Sequence, residues 1–253
     1  MRRWLPRTRP LGDELQLDVG KIIETASALR SRIEERFPRS GLGSLAQRLH
    51  GIASHSVEDL EWVGRPQLPL RIAIGFFVLL LLVLPIWLIS RAQFPAGTPD
   101  LLALLEALES GVNDIIFLGV ILFFLFTLET RIKRNRALRS LHNLRALAHI
   151  IDMHQLTKDP DRLAREGLDT GSSPQRQLDR FQLSRYLDYC SEMLSLVSKI
   201  AALYTQRLAD PVVLAAVDEV ETLTTGLAGK IWQKLMILDR SLDVAPGEGG
   251  YSR

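Results

Sequence analysis

A single cysteine, Cys190, stands in the chain. No disulfide can form within it, and nothing in its cysteine usage calls for an oxidising compartment. The glycine-rich phosphate loop, the dinucleotide fingerprint, GxSxG, HExxH and paired CxxC are all missing, so the chain is expected not to be an enzyme, with no catalytic residue and no cofactor. The basic start, Met1-Arg2-Arg3-Trp4, is not followed by the apolar stretch of a signal peptide, and no cleaved leader is expected. Strand-like alternation never lasts more than a few residues, which points to an all-α chain. The formal charge is only +2. Its basic residues lie beside apolar blocks rather than on a separate patch, which favours lipid over nucleic acid as a partner.

What the chain has instead is apolar sequence concentrated in two blocks between Leu70 and Leu128. Ile72 to Ser90 carries no charge, and at about 1.5 Å per residue it reaches across a hydrocarbon core of about 30 Å. Pro85 lies near its end, where a lost backbone hydrogen bond matters least, and Trp87 sits where an interfacial aromatic belt would be. The second block, Ile115 to Leu128, is shorter and lies between Asp114 and Glu129. It is apolar on every face, and Gly111 to Thr130 supplies the roughly twenty residues a span needs if both acids lie at the interfaces. The connection holds Pro95, Gly97 and Pro99, then a short amphipathic stretch from Leu101 to Glu109 expected to lie at the membrane surface.

Lys and Arg are distributed unevenly about these blocks. Arg91 is alone on the loop side, whereas Arg65, Arg71, Arg131, Lys133, Arg134, Arg136 and Arg139 flank the other ends. The positive-inside rule then places both termini in the cytoplasm. Arg131, Lys133, Arg134, Arg136 and Arg139 are candidate contacts for anionic lipid headgroups, although fixing topology alone would select such a collar. Glu109 and Asp114 are candidate cation-attracting groups: in a symmetric oligomer they would ring the outer mouth of a pore. Asp114-Ile115-Ile116 resembles the Asp-Ile-Met-Glu entrance motif of mitochondrial-type calcium uniporters, which also have two spans, a short loop and helical parts on one side. The likeness implies a cation channel and stops at Phe117, which stands in place of the second acid, and no Trp precedes Asp114.

The flanking regions read as helices. Leu15, Val19, Ile22, Ala26, Leu29 and Ile33 recur at alternating spacings of four and three, a coiled-coil-like seam that ends at Phe37-Pro38. Leu42, Leu45, Leu49 and Ile52 mark a shorter helix, Ser56 to Asp59 resembles the start of another, and Pro66 and Pro69 interrupt any helix before the bilayer. After the second block no Gly or Pro occurs from Arg131 to Leu156, so the span is expected to continue as a stalk with Leu138, Leu141, Leu144, Ala148 and Ile151 near one side. Asp159-Pro160 and Ser173-Pro174 look like helix starts. The clearest seam follows: Leu183, Leu187, Cys190, Leu194, Val197, Ala201, Tyr204 and Leu208. Asp210-Pro211 turns the chain into a last helix bearing Val213, Val217, Val220, Leu227, Ile231, Leu235 and Leu238, and so short a corner requires antiparallel packing. His149, Asp152 and His154 lie close in sequence, but on a helix the last is turned about 160° from the second, so no metal site is expected.

The expected fold is thus an all-α membrane protein, a two-helix transmembrane hairpin with a cytoplasmic helical bundle or coiled-coil-like domain. Its parts are N-terminal cytoplasmic helices over 1–67, the hairpin over 68–130 (spans about 70–90 and 111–130), a helical domain over 131–242, and a disordered tail over 243–253. The expected role is that of a non-enzymatic, membrane-anchored helical scaffold in a bacterial-type inner membrane. It would contact lipids, and assemble with copies of itself or a partner protein through its seams. The alternative is an oligomeric cation channel.

Overall fold

The computed structural model describes residues 16–91, 101–158, 160 and 178–243. Among them the chain is helical, with no strand: α1 Val19–Arg36, α2 Gly41–Gly64, α3 Leu68–Arg91, α4 Leu101–Leu156, α5 Arg180–Arg207 and α6 Pro211–Asp243. The helix starts expected at Asp159 and Ser173 and the tail after Asp243 lie outside the described residues. The described residues of Met1–Gly64 and Ala137–Arg253 make one compact unit and those of Arg65–Arg136 another.

In the first unit, local chemistry sets each helix and the seams set the packing. Asp18 starts α1, its Oδ1 accepting from the backbone N–H of Gly20 at 2.8 Å and of Lys21 at 3.3 Å, which satisfies donors that a first turn leaves without partners. Ile22, Ala26, Leu29 and Ile33 are buried as their spacing predicts. The corner to α2 uses Arg39 at φ 56°, a left-handed conformation that costs a non-glycine residue about 1–2 kcal/mol and is held by packing on either side. Phe37 fixes one side by resting edge-on against Tyr186 and Tyr189 of α5, with ring centroids 5.7 and 6.3 Å away. On the other side Gly41 lies under His154 of α4, where an added Cβ would come within 2.6 Å of the imidazole Cε1.

Two expectations about helix ends are corrected. Ser56 to Asp59 is not a helix start: α2 runs through it, the buried Ser56 hydroxyl donates to the Ala53 carbonyl at 2.7 Å, and Asp59 accepts from Ser140 of α4 at 2.7 Å. A Ser–x–x–acid pattern caps only where the backbone is interrupted, and nothing interrupts it here. The stretch Leu101 to Glu109 is likewise no separate surface helix but the start of α4, which continues unbroken to Leu156. Gly111, the one glycine between that stretch and the apolar block, disfavours the helix by only about 1 kcal/mol, too little to break it among so many Leu, Ala and Glu. The far part of α4 is also no free stalk, because Ala137, Leu141, Leu144, Leu147, Ala148 and Ile151 are all buried.

α5 opens with a reciprocal cap: Gln182 N–H donates to Asp179 at 2.7 Å and Asp179 N–H donates to the Gln182 side chain at 3.0 Å. Its seam is buried from Leu183 through Tyr204. Asp210 then caps α6 by accepting from Val212 and Val213 N–H at 3.0 and 3.2 Å, and Pro211 occupies the first turn, where its missing N–H removes nothing. Arg180, at the start of α5, donates to the Asp239 carbonyl near the end of α6 at 3.4 Å, so the two helices run antiparallel as the short corner requires. Thr224 occupies a buried seam position between Val220 and Leu227 and is tolerated because its hydroxyl donates to the Val220 carbonyl at 2.9 Å.

Cys190 has no exposed surface. Burial pushes its thiol up to about 12, with Lys234 and Lys158 pulling partway back, and burial together with the nearby Cys190 raises Tyr186 well above its usual range. A free thiol titrates near 8.5 and a free phenol near 10. Below pH ~8.5 both states of the chain hold the thiol proton and stability is unaffected by it. Above that the unfolded chain releases the proton while the folded chain keeps it, so stability falls as pH climbs toward 12, by at most about 1.4 kcal/mol per pH unit for one group. Between pH ~8.5 and ~10 the melting temperature of Cys190→Ala is therefore expected to fall less steeply than that of wild type. Parallel slopes in a thermal melt series would remove the thiol from the account.

In the second unit the apolar side chains of α3 and α4 point outward. Ile72, Phe76, Ile86, Ile115, Phe117, Phe123 and Phe126 are each 66% or more exposed, the reverse of a soluble core. The chain thus has two helices long and apolar enough to cross a membrane by length and composition.

Candidate rim site of the apolar hairpin

The base of the second unit is closed by one carboxylate. Glu129 of α4 accepts from Arg71 Nε at 2.7 Å and Nη2 at 3.4 Å, from the Gln67 backbone N–H at 3.3 Å, and from Lys133 Nζ at 2.9 Å. A carboxylate offers about four acceptor positions, and these contacts occupy it from both helices. The Glu129 and Lys133 side chains are only 14% and 12% exposed. Arg71 therefore ties the first turn of α3 to α4 through Glu129, and Lys133 of α4 neutralises the same carboxylate at the position where the apolar run ends. The Glu129–Lys133 spacing of four is visible in the sequence as a favourable helical pair. The Arg71 contact is not, because it joins residues 58 apart.

The collar residues divide by partner. Lys133 directs its ammonium to Glu129, and Arg131 stacks its guanidinium over the Phe124 ring at 4.8 Å, a favourable cation–π distance. Arg134 and Arg136, both half-buried, and Arg139, exposed, each interact with neighbouring groups. At the other end of α3, Arg91 lies over the Trp87 ring at 5.8 Å.

Glu109 and Asp114 are exposed on α4. Five residues apart on a helix, they point about 140° away from each other, so a single chain does not bring them to one face. The Thr127 hydroxyl, the one side-chain hydroxyl in the run Ile115 to Leu128, donates to the Phe123 and Phe124 carbonyls at 3.0 and 3.1 Å. Its polarity is thereby satisfied by its own helix.

The histidine cluster disperses. His149 is exposed, Asp152 accepts from Gln155 Nε2 at 2.6 Å, and His154 covers Gly41. Among the described residues no three His, Cys, Asp or Glu side chains gather in a way that could hold a metal ion. Comparison with protein-family models, curated proteins and solved structures finds no match.

Proposed function

We propose that the chain is a non-enzymatic integral membrane protein, crossing a bacterial-type inner membrane twice with both termini in the cytoplasm, and that it anchors a helical scaffold there. The observation that carries this reading is the shared core of the first unit. α1 and α2, which precede the hairpin, pack with α5, which follows it. Segments on either side of the hairpin can share a core only if the chain crosses an even number of times, so one exposed apolar helix leads out and the other returns. The uneven placement of Lys and Arg supports the cytoplasm as the side they share. The lipid contacts are the exposed apolar faces of α3 and α4 and the collar around Arg131.

The scaffold assembles with copies of itself, and the α5 seam is not its assembly surface, since Leu183 to Tyr204 are already covered within one chain. A better candidate is the strip along α5 and α6 near the start of α5. Phe181 is 62% and Trp232 64% exposed, with Met236 beside them at 38%, and together with Leu235 they line one open groove. Contiguous exposed aromatic and Met surface of this kind favours protein contact. Wild type in a mild detergent is expected to run as an oligomer by light scattering, and Trp232→Asp as a monomer with an unchanged melt. A monomeric wild type, or a variant that assembles equally well, would contradict self-assembly through this strip.

A further inference from the structure

We infer that the cleft between α2 and α4 is a binding site for a small amphipathic carboxylate, an anionic head on an apolar body. The cleft has a volume of about 580 Å³, within the range of about 300–1,000 Å³ typical of small-ligand sites. Its floor is apolar, made by Ile52, Leu147 and Ile150 with the buried Tyr204 of α5 beneath. Arg48, Gly51 and His55 line the α2 side at spacings of three and four, so they share one face of that helix. Asn143 lies on the α4 side.

Two features point to a ligand of this chemistry, Arg48 and Gly51, and His55 limits where its head can pair. Arg48 is exposed at the cleft and forms no ion pair among the described residues, and its planar fork of donors matches a carboxylate in two parallel hydrogen bonds. His55 donates its Nδ1–H to the Gly51 carbonyl at 2.9 Å, which fixes the ring and leaves Nε2 an acceptor, so the carboxylate head pairs with Arg48 and not with the imidazole. Gly51 sits in the interior of α2, where glycine is disfavoured relative to alanine, and an added Cβ would meet nothing within 4 Å. Among the described residues no close approach requires glycine there. Its effect is to keep the α2 wall bare opposite Ala146.

The far end of the cleft selects against larger occupants. Ser140 of α4 donates to Asp59 of α2 at 2.7 Å, which bridges the two helices and closes the gap. A docking helix would have to break that bridge, whereas a small molecule fits short of it. Asp59 also repels a second negative charge at that end, so the anionic head belongs beside Arg48, about three helical turns away, and the apolar body lies over Ile52 and Ile150.

The test uses the full chain in lipid nanodiscs, with ¹⁹F NMR line broadening of 4-fluorophenylacetate read against empty nanodiscs. Wild type is expected to broaden the signal saturably above the empty-disc baseline. Arg48→Gln is expected to weaken binding by about tenfold or more, the usual effect of losing a charge-assisted pair. The neutral 4-fluorophenylacetamide should bind wild type more weakly and be indifferent to Arg48→Gln. Gly51→Leu, which fills the cleft from a position with open space, should abolish binding of both probes with no loss of thermal stability; Ala146→Leu on the opposite wall serves if that variant fails to fold. Absence of saturable broadening in wild type, or broadening that survives a folded cleft-filling variant, would overturn the site. Binding lost in Gly51→Leu but unchanged in Arg48→Gln would overturn the assignment to carboxylates.

Discussion

Leu194→Asp is expected to unfold the bundle. Leu194 lies in the middle of the α5 seam with no exposed surface, and Asp there would have to be ionised among apolar side chains or take up a proton at neutral pH. The lost apolar contacts and the unpaired carboxylate together are worth about 4 kcal/mol or more. That is a large share of the roughly 5–15 kcal/mol that holds a typical domain folded. The next residue gives the contrast. Ser195 is exposed and accepts from Lys199 Nζ at 2.6 Å, so Ser195→Asp places an acid four residues before a lysine and should change stability by only a few tenths of a kcal/mol, in the stabilising direction. The two variants differ by one position in the chain and by a whole face of the helix. Equal melting temperatures for them in the purified protein would refute the packing of α5.

The second large effect is expected at Lys234. Its ammonium reaches from α6 to the end of α4, donating to the Gln155 carbonyl at 2.8 Å and the Lys158 carbonyl at 3.1 Å. Carbonyls at a helix C-terminus have no partner within the helix, and a cation there both satisfies them and opposes the helix dipole. The Gln155 carbonyl also accepts from the Lys158 backbone N–H at 3.1 Å, so loss of Lys234 removes the charge-assisted part of the cap rather than every partner, in a place where Gln155 is almost wholly buried. Lys234→Met keeps most of the side-chain volume and removes the donor. It should lower stability by about 1–3 kcal/mol, with the local effect concentrated at the end of α4. Hydrogen exchange should rise first in the last turns of α4, and uniform exchange across the bundle would contradict the capping role.

Much of the helix architecture was readable from the sequence because apolar periodicity reports directly on the buried face of a single helix. The seams at Ile22 to Ile33 and Leu183 to Tyr204, and the corner at Asp210-Pro211, follow from that rule and from cap chemistry. Periodicity does not name the partner. That Arg32 of α1 pairs with Glu192 of α5 at 2.7 Å, or that Phe37 rests on Tyr186, depends on contacts between distant parts of the chain that no local pattern encodes. A cap-like pattern also misleads when the helix has no reason to stop, as at Ser56, and the break expected after Glu109 fails likewise because α4 runs through it. The rim clamp was half legible: Glu129 and Lys133 are spaced to pair, but Arg71 reaches Glu129 only because the two apolar helices meet at their bases. The cleft beside Gly51 left one faint trace, a glycine inside an otherwise regular helix.

The most direct measurement is site-specific labelling in intact cells, with single cysteines introduced into a Cys190→Ala background and probed with a membrane-impermeant maleimide. Gly97→Cys, between the two apolar helices, is expected to react without permeabilisation, while Gln16→Cys and Asp239→Cys are expected to react only after it. Labelling of position 97 only after permeabilisation, or of positions 16 and 239 on opposite sides, would contradict a hairpin that crosses twice and returns the chain to its own bundle.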